Sequence, residues 1–309
     1  MISSVFDALH LLQEMETSNS IGQADNYSAH FPFPIGLWFR GHADFNWTLE
    51  PSIFRKAPDF NFLNETRLFN TFRLRSPRLP ESAPTFDWLC LMQHHGLPTR
   101  ILDWTESLLV ALFFAAEQEN YQSLDGALFL LNAPKLNEIA AARAGIPSGK
   151  RTIHTPEDFE CIGRSEMART SRLSHYVRAK PLLSGYFSPS DRGTDYTAML
   201  LSLNTPIAVF PWRRDERMSL QSSVMTLHGG KTFSYGHDEL PSPITTEELN
   251  RDATPFLLKL TIPFEKKKNI LRELEMLGVN RASLFPELDA QSAFLRSQWA
   301  LRSEPDRKI

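Results

Sequence analysis

The chain has 309 residues, 42% of them hydrophobic and 22% charged, with a formal net charge of −3. That balance supplies a substantial core and argues against a general polyanion binder, while leaving room for a local basic patch. Cys90 and Cys161 form no CxxC pair, which excludes a disulfide framework or a cysteine-based zinc site as the organising device; both are expected as reduced thiols. Met1 to Glu14 carries an early acid, Asp7, and no basic n-region. No apolar run nears the roughly 20 residues that a bilayer span requires, so a soluble, cytoplasmic protein is expected.

Taken in order, Val5, Leu9 and Leu12 fall at helical spacing and predict a helix over 4–16, with Ser4 as its cap. The apolar run 35–41 reads as a buried strand that delivers Arg40 to its end. Gly41 there lets the chain turn or a ligand approach the backbone. Trp47 to Arg55 reads as an edge segment, because Pro51 keeps it out of a central strand. Helical spacing returns over 64–75 and again over 86–93.

The stretch Gln93-His94-His95-Gly96-Leu97-Pro98-Thr99-Arg100-Ile101-Leu102-Asp103-Trp104-Thr105 gathers two imidazoles, an Arg, an Asp and a Thr beside strong core. It reads either as a site or as a loop whose polar groups cap neighbouring elements. The run 108–116 is apolar all round, as in a helix buried on most sides, with Asp103 or Thr105 placed to cap it. Its N-terminal N–H groups are available to an anion. Asp125-Gly126 is a turn and 127–131 a core strand.

Over 164–180 five basic residues, Arg164, Arg169, Arg172, Arg178 and Lys180, stand against Glu166 alone. They read as a solvated face or, with Tyr176 and Tyr186 nearby, as a surface that tracks a single-stranded nucleic acid. Strands are predicted over 206–210 and 256–262, with a mixed strand pattern over 218–228 that puts Arg217 and Gln221 near its start. A helix over 266–277 is closed by Gly278, and a last helix ends near Leu301. The order predicts an α+β fold with one mixed or antiparallel core, built from 35–135 and 203–301, with a basic helical insertion at about 141–201.

Several separated blocks resemble one family. Trp38-Phe39-Arg40-Gly41, then Trp47-x-Leu49-x-Pro51-Ser52-x-Phe54-Arg55, resembles the opening of the FRG domain. The 93–105 stretch with Ala111-Leu112-Phe113-Phe114-Ala115 resembles its central block, and Arg217 with Gln221 and Leu277-Gly278 to Asp289 its closing blocks. The motif order is also similar to the ADP-ribosyltransferase fold: aromatic-Arg-Gly on a strand, a hydroxyl residue before an Ala/Phe-rich helix, then a late Gln or Glu.

That second resemblance implies an NAD-dependent ADP-ribosyltransferase, with NAD as substrate and no metal. Arg40 takes the NAD phosphates, Thr105 or Asp103 supports the nicotinamide ribose, and Gln221 or Glu216 fills the third role. No Ser-Thr-Ser triplet is present, and Gln221 stands where a carboxylate is expected. Gly41, Thr99, Arg100 and Arg217 are the further candidates for holding the cofactor, and His94, His95 or Asp103 for acid–base work. Neighbouring His side chains of an extended chain point opposite ways, which disfavours a shared metal. The implied role is a toxin or antiphage effector that modifies RNA or another intracellular target, with a neutralising antitoxin as partner. The alternatives are a non-catalytic nucleotide- or nucleic-acid-binding module and a His-based nuclease.

Overall fold

A computed structural model describes residues 1–18, 36–55, 65–76, 79, 83, 85–143, 205–229 and 256–300. Six strands form one sheet: β1 (Leu37–His42), β2 (Ile101–Thr105), β3 (Gly126–Asn132), β4 (Ile207–Val209), β5 (Ser223–Leu227) and β6 (Leu257–Ile262). Their order is β4-β5-β2-β1-β3-β6, and every neighbouring pair is antiparallel. The described helices are α1 (Val5–Ser18), α2 (Glu65–Arg75), α3 (Thr85–His94), α4 (Leu108–Ala116), α5 (Ala133–Arg143), α6 (Glu216–Leu220), α7 (Phe264–Met276), α8 (Arg281–Leu284) and α9 (Leu288–Ala300). The expected α+β class with an antiparallel core is the one observed. The expected insertion at 141–201, with Arg164, Arg169, Arg172, Arg178 and Lys180, lies outside the described residues apart from the end of α5.

The sheet is continuous in order but not in pairing. All six residues of β1 pair with β3, and all five of β2 pair with β5. Between β1 and β2 the register holds only at Phe39 opposite Thr105. Beyond that rung the two strands part, and the sheet opens along its own centre.

Three apolar clusters hold the halves. On one face α1, α4 and α7 pack Val5, Ala111, Leu112 and Ile270 against Phe39, Leu128 and Leu130. On the other half α2 and α3 pack Phe69, Phe86, Trp88 and Met92 against Ile101, Val209 and Leu227. The third cluster joins Trp38, Leu102, Trp104, Phe129 and Val224, with Leu136 of α5. Each strand contributes alternate residues to opposite faces, as a pleated backbone requires.

Three local expectations are corrected. Ser107, not Asp103 or Thr105, caps α4, accepting a hydrogen bond from the Val110 N–H. The 218–228 pattern divides: Asp215 caps the short helix α6, Ser222 turns the chain at φ 47°, and β5 begins only at Ser223. Residues 47–55 form no strand, only a 3-10 turn at Ser52–Phe54.

Gly41 is explained by packing rather than by a turn. It lies inside β1, where a Cβ would stand 1.9 Å from the Ala111 carbonyl oxygen and 2.6 Å from the Ala115 nitrogen. Backbone atoms of a buried helix cannot step aside as a flexible side chain would. Gly41→Ala is therefore expected to destabilise the fold by at least about 3 kcal/mol, read as a fall in the midpoint of equilibrium urea unfolding.

Candidate functional site

The opening between β1 and β2 contains a cavity of about 430 Å³. β1 contributes Phe39, Arg40, Gly41 and His42, and β2 contributes Asp103, Trp104 and Thr105. Gln93 and His94 enter from α3, Val110, Ala111 and Phe114 from α4, Arg217, Met218 and Gln221 from α6 and its cap, and Ser223 and Met225 from β5. Trp47, Arg55, Cys90 and Gln118 complete the wall. The size lies within the range of small-molecule sites.

Arg40 bridges the opening. Its Nη1 donates to the backbone carbonyl of Asp103, a group that continued strand pairing would have used, and its Nε donates to Nε2 of His42 at 2.8 Å. Burial lowers its pKa to about 10, with Arg55 adding to the fall and Asp103 opposing it, so the guanidinium stays charged at neutral pH. His42 is 3% exposed. Burial first, then the Arg40 charge, holds its pKa down at about 2, so the ring is neutral.

Asp103 is the one carboxylate lining the cavity among the described residues. Its side chain faces the cavity, yet the protein walling it in raises its pKa, a shift that Arg40, a hydrogen bond from Gln93, Arg217 and Arg55 partly offset. Gln93 is itself fixed, because its Oε1 accepts from the Thr99 hydroxyl. A chain of hydrogen bonds thus runs from Thr99 through Gln93 to Asp103. Burial also pushes the Cys90 thiol well up, so it is not a thiolate nucleophile at neutral pH.

The other sequence candidates divide sharply. Thr105 lines the cavity, but its hydroxyl donates to the Gln221 carbonyl at 2.7 Å and accepts from the Ser107 N–H at 3.0 Å. Gln221 caps α6, and its side-chain Nε2 donates to the Leu284 carbonyl at 3.1 Å. Arg217 stands over the Phe285 ring at 4.6 Å, with Glu287 at 3.8 Å. The 277–289 block therefore braces the cavity wall from outside.

Four candidates fall outside the cavity wall. Glu216 is exposed in the first turn of α6, and His95 is exposed just past α3. His94 does line the cavity and has Asp215 at 3.7 Å. Arg100 is fully buried and is taken up by Glu65, with Nε at 2.8 and 3.1 Å from its two carboxylate oxygens, and by the His228 carbonyl at 2.9 Å. Thr99 is buried between Gln93 and Ser52, whose hydroxyl accepts from the Thr99 N–H at 3.1 Å. Neither Arg100 nor Thr99 lines the cavity, so neither reaches a ligand held there. Among the described residues no group of three or more His, Cys, Asp and Glu converges as a metal site.

His42, Gln93 and Arg55 also line the cavity and are not among the residues that the sequence singles out. His42 was legible in principle: two positions after Arg40 in a strand, it shares the face of Arg40. Arg55 reaches the wall from the loop after the 3-10 turn, and nothing in local spacing announces that.

The fold and cavity define an α+β protein with a cavity, lined by Arg40, Arg55, Arg217 and Asp103, in the seam of an antiparallel sheet. Residues 36–123 match the model of the FRG domain, and the chain carries that domain. The match spans β1 to the turn after α4 and so includes Arg40, His42, Asp103 and Thr105, but not Arg217 or Gln221. No curated protein and no solved structure matches the chain. No described helix is long and apolar enough to cross a membrane.

The two arginines should separate by experiment. Glu65→Gln leaves the buried Arg100 charge without its partner and is expected to cost about 3–5 kcal/mol of stability. Arg40→Met should leave stability within about 1 kcal/mol, since it removes a charge that burial already disfavours. Paired denaturant unfolding curves check both.

Proposed function

We propose that this protein is an NAD-dependent ADP-ribosyltransferase whose dinucleotide lies in the β1–β2 opening. The observation that carries the reading is Arg40, charged, pinned to the edge of β2, and facing a cavity that sets three arginines against one carboxylate. A guanidinium fork suits a diphosphate because it offers paired hydrogen bonds and a permanent charge. Arg55 and Arg217 supply further positive potential, and the rings of Trp47 and Phe114 offer apolar surface for a base or nicotinamide.

The reaction needs little covalent chemistry from the protein. The bond between the ribose C1′ and the nicotinamide nitrogen breaks, its electron pair leaving with nicotinamide, and an oxocarbenium-like sugar is left to be stabilised by position and charge. An acceptor nucleophile then bonds to C1′ and gives up its proton. Asp103 takes that proton, since Glu216 is remote and the Gln221 side chain is already bonded to Leu284. RNA or another single-stranded nucleic acid is the proposed acceptor, on the basic residues Arg164 to Lys180. An effector of this kind, a toxin or antiphage protein, calls for a neutralising partner.

One observation favours a second reading, a nucleotide-binding module without catalysis. The late-strand carboxylate of the transferase pattern has no counterpart at Gln221, whose side chain is committed elsewhere.

Incubating the protein with labelled NAD and separate pools of RNA, single-stranded DNA and protein distinguishes the two. Transfer to nucleic acid is expected, reduced by about 10²-fold or more in Arg40→Ala, in line with loss of one preorganised charge. NAD binding without transfer or nicotinamide release leaves the binding module standing instead. The pH profile tests the base. With the Asp103 pKa raised, its basic form is lost as pH falls through a value above the ordinary aspartate one of about 3.9. The acid limb of kcat/KM should lie in that raised range and vanish, with most of the activity, in Asp103→Asn.

A further inference from the structure

Arg40 has five N–H donors, all on one rigid plane. Described residues engage two of them, the Nε proton by His42 and one Nη1 proton by the Asp103 carbonyl. Where the rest point depends on the orientation of that plane, and a single carbonyl contact leaves the guanidinium free to swing about it. The His42 contact removes that freedom.

His42 is built for this and for little else. Its Nε2 accepts from Arg40, which can only donate, so that nitrogen carries no proton. The proton therefore sits on Nδ1, which faces the Trp47 carbonyl at 3.3 Å. Phe129 and Trp47 flank the ring edge-on, with centroids 4.9 and 5.9 Å away, so it cannot turn over without displacing aromatic core. Both nitrogens are engaged within the protein, which leaves none for a ligand or a reacting atom. The ring is also buried, and a second cation beside Arg40 would be repelled, so the neutral form is the one that fits.

We propose that His42 is the positioning residue of the cavity: a single-tautomer imidazole whose bare Nε2 fixes the Arg40 guanidinium so that its remaining N–H groups face an anionic ligand. The ligand part of this rests on reading the cavity as a dinucleotide site, whereas the tautomer and the Arg40 contact do not.

The test uses the full chain as wild type, His42→Gln, His42→Leu and Arg40→Ala, with thermal melts to establish that each variant is folded. On nitrogen-15-labelled protein, His42 Nε2 is expected to show the shift of an unprotonated imidazole nitrogen and a coupling across the hydrogen bond to Arg40 Nε. A protonated Nε2, or no coupling, overturns the proposal. Calorimetric titration with NAD, ADP-ribose and inorganic pyrophosphate then reads the consequence. Loss of a hydrogen bond that aims a charged group predicts about 10-fold weaker binding in His42→Leu. In His42→Gln, whose amide oxygen can take the same proton, binding should stay within about 3-fold of wild type.

Wild-type affinity in folded His42→Leu overturns the positioning role while leaving the dinucleotide reading intact. So does equal loss in His42→Gln and His42→Leu. Binding of pyrophosphate but not of NAD or ADP-ribose, with the same dependence on His42, supports the positioning role and sinks the dinucleotide reading. Binding of none of the three probes by wild type overturns both.

Discussion

The site depends on how closely α4 lies against β1. At Gly41 the backbone of Ala111 and Ala115 fills the space that any side chain would need. A helix that is apolar on every side is held there by burial against α7 and the β1–β3–β6 half of the sheet. The other half, β4–β5–β2, takes its own cover from α2 and α3. With each central strand committed to its outer neighbour, the seam between β1 and β2 is the least paired place in the sheet, and the cavity forms there. Unpaired backbone groups along such a seam must still find partners, and the Arg40 contact with the Asp103 carbonyl meets that demand from a side chain.

Charge is handled in opposite ways a few residues apart. Arg100 is buried completely, and Glu65 and a backbone carbonyl meet it inside the core, so its charge is spent on holding α2 to the start of β2. Among the described residues Arg40 meets only neutral acceptors in hydrogen bonds, with Asp103 close enough to act through its field. A matched ion pair has nothing to offer a ligand. A guanidinium held by uncharged groups keeps its electrostatic appetite, and Arg55 and Arg217 enlarge it.

These differences mark where the sequence could and could not be read. The strand that carries Arg40, the buried helix after Thr105 and the Gly278 stop follow from hydrophobic spacing and turn chemistry, which are local. Arg40 and Arg100 look alike at that level, each a lone cation beside apolar residues, and only the long-range arrival of Glu65 separates them. Met218, Leu220 and Val224 read almost as an alternation, which predicts a strand through Gln221. The Asp215 cap and the left-handed Ser222 divert the chain into a helical turn first. Gly41 reads from the sequence as a turn or as room for a ligand, whereas the backbone that approaches it belongs to α4, which spacing does not announce. The neutral partners, His42 and Gln93, were hardest to see, since their importance lies in which neighbour they orient.

Those neutral partners show how the cavity is assembled. Arg40 is oriented by His42, which the Trp47 carbonyl orients in turn, and all three belong to the β1 side. Asp103 is oriented by Gln93, which Thr99 holds, and these belong to the α3–β2 side. Each ionic group is thus rigid within its own half of the molecule. Across the seam the halves are tied at this point by the Phe39–Thr105 rung and by Arg40 itself. The distance between the cation and the carboxylate is therefore set by the seam and not by either half alone. An anionic ligand that engages Arg40 while reaching the β2 edge would add a third tie across the same gap. The buried cluster of Trp38 and Phe129 with Leu102, Trp104 and Val224 holds the two halves together behind that gap, so such a ligand would meet a spacing that the core already sets.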